Sequence, residues 1–195
     1  MSHVLSGMMQ KYIFIPMSKD AELLDIVDRE GNVIGRATRD EAHANPELIH
    51  QVVHCWLFNT DGQVLLQQRS LTKDLGAGMW DVAVGGHLMH GETAVTGLAR
   101  EMEEELGIVA LKARLADTYI AGTDSQTEYI YVFTALLPDD TQLQFDQQEI
   151  ETIAWFDLTD LYTESMAGRL PVTNWIHDEL PGILQTAIAD YLTNS

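Results

Sequence analysis

The segment from residue 86 to residue 108 constrains this chain more than any other part, and it reads GHLMHGETAVTGLAREMEEELGI. Thr93 to Leu106 is predicted to form a helix, which Gly107 terminates. Glycines before the helix, Gly85-Gly86 and Gly91, predict a flexible loop. The predicted loop and helix together determine which charged side chains of this segment can lie close to one another.

Three glutamates share one face of the predicted helix. At 3.6 residues per turn, Glu101, Glu104 and Glu105 fall within an arc of about 100°. Crowded carboxylates resist ionising together unless a cation lies among them, and such oxygen ligands suit Mg²⁺ or Mn²⁺. Glu103 is expected to face solvent. The neighbouring arc carries apolar residues predicted to pack on a core, namely Val95, Leu98, Ala99, Met102 and Leu106.

The alternative interpretation of this charged run is a solvated helix face. The fixed spacing of the glycines, the arginine and the apolar residues favours metal binding instead. The segment matches the pattern GX5EX7REUXEEXGU, where U is bulky and apolar, and so resembles the Nudix box. The matching positions are Gly86, Glu92, Arg100, Glu101, Met102, Glu104, Glu105, Gly107 and Ile108.

The resemblance to the Nudix superfamily extends from about Leu23 to Leu161. It implies an α/β (α+β) fold, in which a mixed β-sheet is sandwiched between α-helices. It also implies Mg²⁺-dependent hydrolysis of a diphosphate bond in a nucleoside diphosphate linked to a group X, or in a related small diphosphate.

The same resemblance implies roles for individual residues. Glu104 and Glu105 would ligate the metal, and Glu101 would ligate it or activate water. The carbonyl oxygen of Gly85 would be a further ligand. Arg100, together with Glu92, would brace the carboxylates and the loop.

A second resemblance lies outside the box, to the isopentenyl-diphosphate isomerase branch of the superfamily. It implies that Arg69 and Lys73 bind the substrate diphosphate. It also implies a metal site at the positions of His43, His50, His87 and Glu128. The residues that carry it are His43, His50, Trp56-Leu-Phe-Asn59, Arg69, Lys73, Gly78, Trp80, Gly86-His87, Glu128 and Glu149.

Two departures from the isomerase pattern argue against the isomerase reaction. The isomerases have a catalytic cysteine two residues before the His87 position, where this chain has Gly85. Gln126 also replaces a second carboxylate two residues before Glu128. A Nudix hydrolase is therefore the leading prediction, with an isopentenyl-diphosphate isomerase and a noncatalytic ligand-binding module as alternatives.

Taken without the resemblance, the basic residues have plainer interpretations. Arg69 would form a surface salt bridge, although Lys73 four residues later favours contact with a diphosphate. His43 and His50 would be loop or strand-end histidines. His87 would contact substrate or metal, or brace the box loop. His54, among apolar residues of a strand, is predicted to be structural.

The final proton acceptor is open between three carboxylates. Glu101, Glu128 and Glu149 each fit, because members of the family place this base differently. Glu149 could instead complete the metal shell or be a solvated loop carboxylate.

Composition fits one small enzyme domain. The chain has 195 residues, of which 46% are apolar, which fits one domain at residues 21–195. Residues 1–20 are predicted to be a tail or an added edge element. The single cysteine, Cys55, fits a reducing cytoplasm and is expected to be buried. No secretion signal and no membrane span are expected. The net charge of −19 argues against nucleic acid polymers, so the expected partner is a small diphosphate. The oligomeric state is open, with a homodimer as one option.

Periodicity and turn residues predict the remaining elements. Loops are expected at residues 43–48 and 69–78. Two further helices are expected at residues 159–167 and 174–192. The predicted strands cover residues 23–28, 33–37, 51–58, 63–68, 80–84, 115–121, 128–137 and 150–156.

Overall fold

The computed structural model describes residues 22–73 and 75–194. The tail or edge element predicted at residues 1–20 lies outside the described residues. Within the described residues, the helices are α1 (Arg39–His43), α2 (Ala94–Leu106), α3 (Leu158–Met166) and α4 (Asn174–Asn194). The strands are β1 (Leu23–Val27), β2 (Val33–Thr38), β3 (Ile49–Phe58), β4 (Val64–Arg69), β5 (Trp80–Val82), β6 (Val84–His87), β7 (Ala113–Gly122), β8 (Thr127–Leu136) and β9 (Ile150–Phe156).

Strand β3 is the centre of a mixed sheet. It runs parallel to β8 along its whole length and antiparallel to β1, β4 and β6. Strand β4 pairs antiparallel with β5 and β9, and β7 pairs antiparallel with β8. The predicted mixed sheet is therefore confirmed.

Alternate residues of β3 face two different helical layers. Val53, Cys55 and Leu57 belong to the core cluster that contains α2. Val52 and Trp56 belong to the core cluster that contains α3 and α4. Because side chains alternate across a strand, the sheet lies between these layers, as predicted. None of the helices in the described residues is long and apolar enough to span a membrane.

Helix α2 begins one residue after the predicted start at Thr93 and ends at Leu106 as predicted. The Thr93 side chain caps its first turn, and Gly107 ends it with a φ of 68°. Leu98, Met102 and Leu106 are buried.

The prediction that Val95 and Ala99 also pack on the core is wrong, because both are exposed. The closest approach to the core lies at Gly97, where a Cβ atom would be 2.1 Å from Leu88 Cδ2. The contact arc of the helix is therefore centred away from Val95 and Ala99.

The loop predicted at Gly85-Gly86 is also wrong. Both glycines lie in β6, where they pair with His54 and Val53 of β3. The long neighbouring strand supplies a partner for their backbone, and this outweighs the loop preference of glycine. Gly91, with a φ of 82°, does lie in the turn before α2.

Candidate active site on the two faces of strand β6

Strand β6 separates two groups of polar side chains. A Cβ atom on Gly86 would lie 2.2 Å from Cδ of Glu101, so this carboxylate occupies the space of a missing side chain. A Cβ atom on Gly85 would point to the other face, 3.3 Å from Cδ2 of His54. The double glycine therefore lets side chains approach the same strand from both sides.

The first group is the glutamate face, formed by Glu101, Glu104 and Glu105 of helix α2. Glu105 Oε2 accepts hydrogen bonds from the backbone N of Gly85 at 3.0 Å and from Nε2 of Gln67 at 3.3 Å. Glu101 lies against Gly86, and Glu104 is exposed. Glu103 is exposed, as expected.

Arg100 ties the glutamate face to the preceding segment. Its Nη1 donates to Glu101 at 2.7 Å and to Glu104 at 3.1 Å. Nε donates to Glu92 at 2.8 Å, and Nη2 donates to the carbonyl oxygen of His87 at 2.8 Å. These contacts correspond to the bracing position that the sequence predicts for Arg100 and Glu92.

Burial disfavours the charged forms of two of these glutamates. It raises the pKa of Glu101 to about 7 and that of Glu105 to about 8, and the neighbouring carboxylates add to both shifts. A divalent cation would favour ionisation of both groups. An all-oxygen donor set of this kind fits Mg²⁺ or Mn²⁺.

The second group lines a cavity of about 670 Å³ on the opposite side, called here the histidine cavity. Its walls include residues of α1, of the strands from β3 to β8 and of the start of α4. The residues that matter below are Arg39, His54, Arg69, Asp81, His87 and Trp175. Gln67 also lines the cavity while donating to Glu105, so the cavity extends to the edge of the glutamate face.

Three histidines and one glutamate meet at one end of this cavity. The rings of His43 and His87 approach with Nε2 atoms 3.0 Å apart, and the ligand atoms of His43, His50 and His87 all lie within 4.8 Å of one another. Glu128 Oε1 lies 3.7 Å from Nε2 of His50 and accepts from Nε2 of Gln126 at 2.8 Å.

These groups have the character of metal ligands. Both ring nitrogens of His50 and Oε2 of Glu128 are buried without a hydrogen-bond partner. Burial, with His50 nearby, lowers the pKa of His43 to about 4 and that of His87 well below its usual value. Neutral imidazoles and an unsatisfied carboxylate oxygen fit a divalent cation with mixed nitrogen and oxygen ligands.

The two residues predicted to bind diphosphate lie in different surroundings. Arg69 lines the histidine cavity, and its guanidinium donates to Asp81 at 3.0 Å and to the carbonyl oxygen of Leu75 at 3.1 Å. Lys73 forms an ion pair with Glu149. The structure thus pairs Lys73, a predicted diphosphate contact, with Glu149, a predicted proton acceptor.

Sequence reasoning missed four residues at this site. Arg39 and Trp175 line the histidine cavity, while Glu179 contacts His54 and accepts a hydrogen bond from Tyr119. Arg39 lies four residues before His43, and this spacing could have indicated that it lies near the predicted metal site. Glu179 lies 125 residues after His54, so no local pattern could have paired them.

Comparison with known proteins shows the family of this chain. The family model of the NUDIX domain matches residues 48–176. An isopentenyl-diphosphate Delta-isomerase of Streptomyces avermitilis is 39% identical over 162 residues, which cover 80% of each chain. An uncharacterised Nudix hydrolase of Clostridium acetobutylicum is 39% identical over 94 residues, covering 47% of this chain and 45% of the relative. The crystal structure of DR0079 from Deinococcus radiodurans is similar with a TM-score of 0.68 and 27% identity, covering 80% of this chain and 96% of that one.

Proposed function

Because this chain belongs to the NUDIX domain family, we propose that it is a Mg²⁺-dependent hydrolase of small diphosphates. The bond cleaved would be the diphosphate bond of a nucleoside diphosphate-X or a related compound. The observation that carries the proposal is the contact of Glu101 and Glu105 with the glycines of β6, at the edge of a cavity large enough for a small molecule.

The glutamate face supplies the ligands. Glu101, Glu104, Glu105 and the carbonyl oxygen of Gly85 would hold the cation. When bound, this cation would neutralise charge on the diphosphate and make water a stronger nucleophile. Arg100 keeps Glu101 and Glu104 oriented through hydrogen bonds to both.

Arg69 is the proposed diphosphate contact, because its guanidinium already lies in the cavity wall. Lys73 and Arg39 would add positive charge, and His87 would contact the substrate from strand β6. Cations at these places matter because the chain carries a net charge of −19, which repels an anionic substrate.

Among the three candidate proton acceptors, position favours Glu101. It lies on the glutamate face, where water would be activated. Glu128 lies with the histidines on the other side of β6, and Glu149 is paired with Lys73.

An isomerase is the second candidate, supported by the Streptomyces relative and by the cluster of His43, His50, His87 and Glu128. Migration of a carbon–carbon double bond needs an acid and a base on opposite sides of the substrate. Gly85 has no side chain to supply one of them. Cys55 is no substitute, because it is buried on the α2 side of the sheet and burial raises the pKa of its thiol.

The test is to incubate the pure protein with Mg²⁺ and a panel of nucleoside diphosphate-X compounds and isoprenoid diphosphates. Hydrolysis of at least one compound, abolished by a chelator and restored by Mg²⁺, is the expected result. Full turnover in a metal-stripped sample would contradict the proposal, and binding without turnover would indicate a noncatalytic module.

A further inference from the structure

A buried histidine–glutamate pair lies in the floor of the histidine cavity, away from the cluster of His43, His50 and His87. Nδ1 of His54 is 2.5 Å from Oε1 of Glu179. The same carboxylate accepts from Nε1 of Trp56 at 2.7 Å and from the hydroxyl of Tyr119 at 2.8 Å. Three donors therefore hold Glu179 in one position.

This arrangement fixes the orientation of the His54 ring. Nδ1 points to Glu179, so Nε2 is the nitrogen left for the cavity that His54 lines. Among the described residues Nε2 has no hydrogen-bond partner, and it is not fully buried. A ring held in this way presents a fixed polar atom to whatever enters the cavity.

The ion pair leaves Nε2 as the polar atom of His54 that is available to a ligand, because Glu179 occupies Nδ1. A polar atom in a largely buried position is costly to leave without a partner, so a ligand that offers a hydrogen-bonding group at Nε2 is favoured over one that does not.

Gly85 lies directly beside His54. The two residues are paired across β3 and β6, and a Cβ atom on Gly85 would lie 3.3 Å from the His54 ring. Both residues line the histidine cavity, which gives a ligand access to His54 from the edge of the glutamate face.

We propose that His54, positioned by Glu179, determines specificity by forming a hydrogen bond through Nε2 to a hydroxyl group of X. This inference rests on the proposed function, and it places the diphosphate between the glutamate face and Arg69, so that the X group extends further into the histidine cavity. The preferred substrates are diphosphates whose X group carries hydroxyl groups. Hydrocarbon X groups are disfavoured, because they leave the His54 nitrogen without a partner.

Two probes of the same shape test this inference: ribose 5-diphosphate, and cyclopentylmethyl diphosphate, which lacks all oxygens of the X group. Hydrolysis is followed with Mg²⁺, and binding is measured by calorimetry with Ca²⁺. The wild-type protein should prefer the ribose compound about tenfold or more. His54→Leu combined with Glu179→Gln, which removes both buried charges together, should abolish this preference while leaving the cyclopentyl compound within about twofold.

His54→Gln is a second, milder variant whose thermal unfolding is checked first. His90→Leu is the matched control, because it disrupts a histidine–carboxylate pair, with Asp25 at 2.6 Å, outside the cavity wall. Equal loss for both probes in the His54 variants, or no preference in the wild-type protein, would overturn the inference. Failure of hydrolysis with a retained binding preference would instead contradict only the proposed function.

Discussion

The two faces of strand β6 are built in different ways. The glutamate face consists of carboxylates from one helix, oriented by Arg100 and packed against glycines at most twenty residues away in the sequence. The histidine cavity is assembled from α1, the strands from β3 to β8 and α4, and three imidazoles meet at one end of it. Strand β6 thus separates a group of carboxylates that are close together in the sequence from a cavity whose residues are far apart in the sequence.

This difference suggests a division of labour. The oxygen ligands suit the cation that would activate a diphosphate, whereas the imidazoles and the His54–Glu179 pair would contact the X group or a second cation. Variants of the glutamate face should therefore lower turnover, whereas variants of the histidine cavity should change metal preference or substrate choice.

The largest effect is expected on the glutamate face. Glu105→Gln should lower kcat about a hundredfold or more, because it removes a proposed metal ligand while Gln can still occupy the same space. Circular dichroism and thermal unfolding should show a retained fold. Glu103→Gln, a change of the same kind at an exposed position of the same helix, is the control and should leave kcat within about twofold. Equal activity of the two variants would remove the distinction between the faces.

Substitution of Arg69 tests whether the diphosphate binds where the glutamate face meets the histidine cavity. Arg69→Ala should lower kcat/KM about ten- to a hundredfold for substrates with different X groups, because charge-assisted contacts to phosphate are strong. Lys73→Ala should have a smaller effect, since Lys73 is already paired with Glu149. Steady-state kinetics on two substrates measures both variants. An unchanged kcat/KM in Arg69→Ala would show that this arginine serves only its ion pair with Asp81.

The histidine cavity should bind a cation independently of the glutamate face. His50→Asn should weaken binding of Mn²⁺ or Co²⁺ about tenfold or more, because it removes a buried ring whose nitrogens have no other partner. The Mg²⁺ concentration needed for half-maximal turnover should change little. Calorimetric titration and a Mg²⁺ activation curve separate the two sites. If His50→Asn weakened Mn²⁺ or Co²⁺ binding and raised the Mg²⁺ requirement by similar factors, the two groups would form a single metal site.

The smallest expected effect is a pH dependence of stability. The pKa of His54 is raised to about 9 in the folded protein, above the usual value of 6.5. Its contribution to the free energy of unfolding is fully present below pH 6.5 and is lost as pH rises through about 9. Urea unfolding of the metal-free protein at pH 6 and pH 10 measures this loss. Glu179→Gln should flatten the profile, and an unchanged profile in that variant would contradict the ion pair.

The glutamate face could be predicted because its information is local. The start of α2, to within one residue, and its end before Gly107 follow from spacing within one segment, and the resemblance carried by the same segment implied the contact of Arg100 with Glu92. Strand β9, Ile150–Phe156, also agrees in both bounds.

The cavity could be predicted only in part, because its residues are distant in sequence. The resemblance placed His43, His50, His87 and Glu128 together, and the structure brings them together. The Gly85-Gly86 strand was missed because β3 supplies its pairing partner. Glu179 was missed because it contacts His54 across 125 residues.

The central claim is that the chain hydrolyses diphosphates at its glutamate face and does not isomerise at its histidine end. The most direct test incubates the wild-type protein with isopentenyl diphosphate and Mg²⁺, beside a diphosphate that the protein hydrolyses, and analyses the products by NMR. The account predicts no dimethylallyl diphosphate and metal-dependent hydrolysis of the second compound. Rapid metal-dependent formation of dimethylallyl diphosphate would contradict it, and would require another group to act where Gly85 has no side chain.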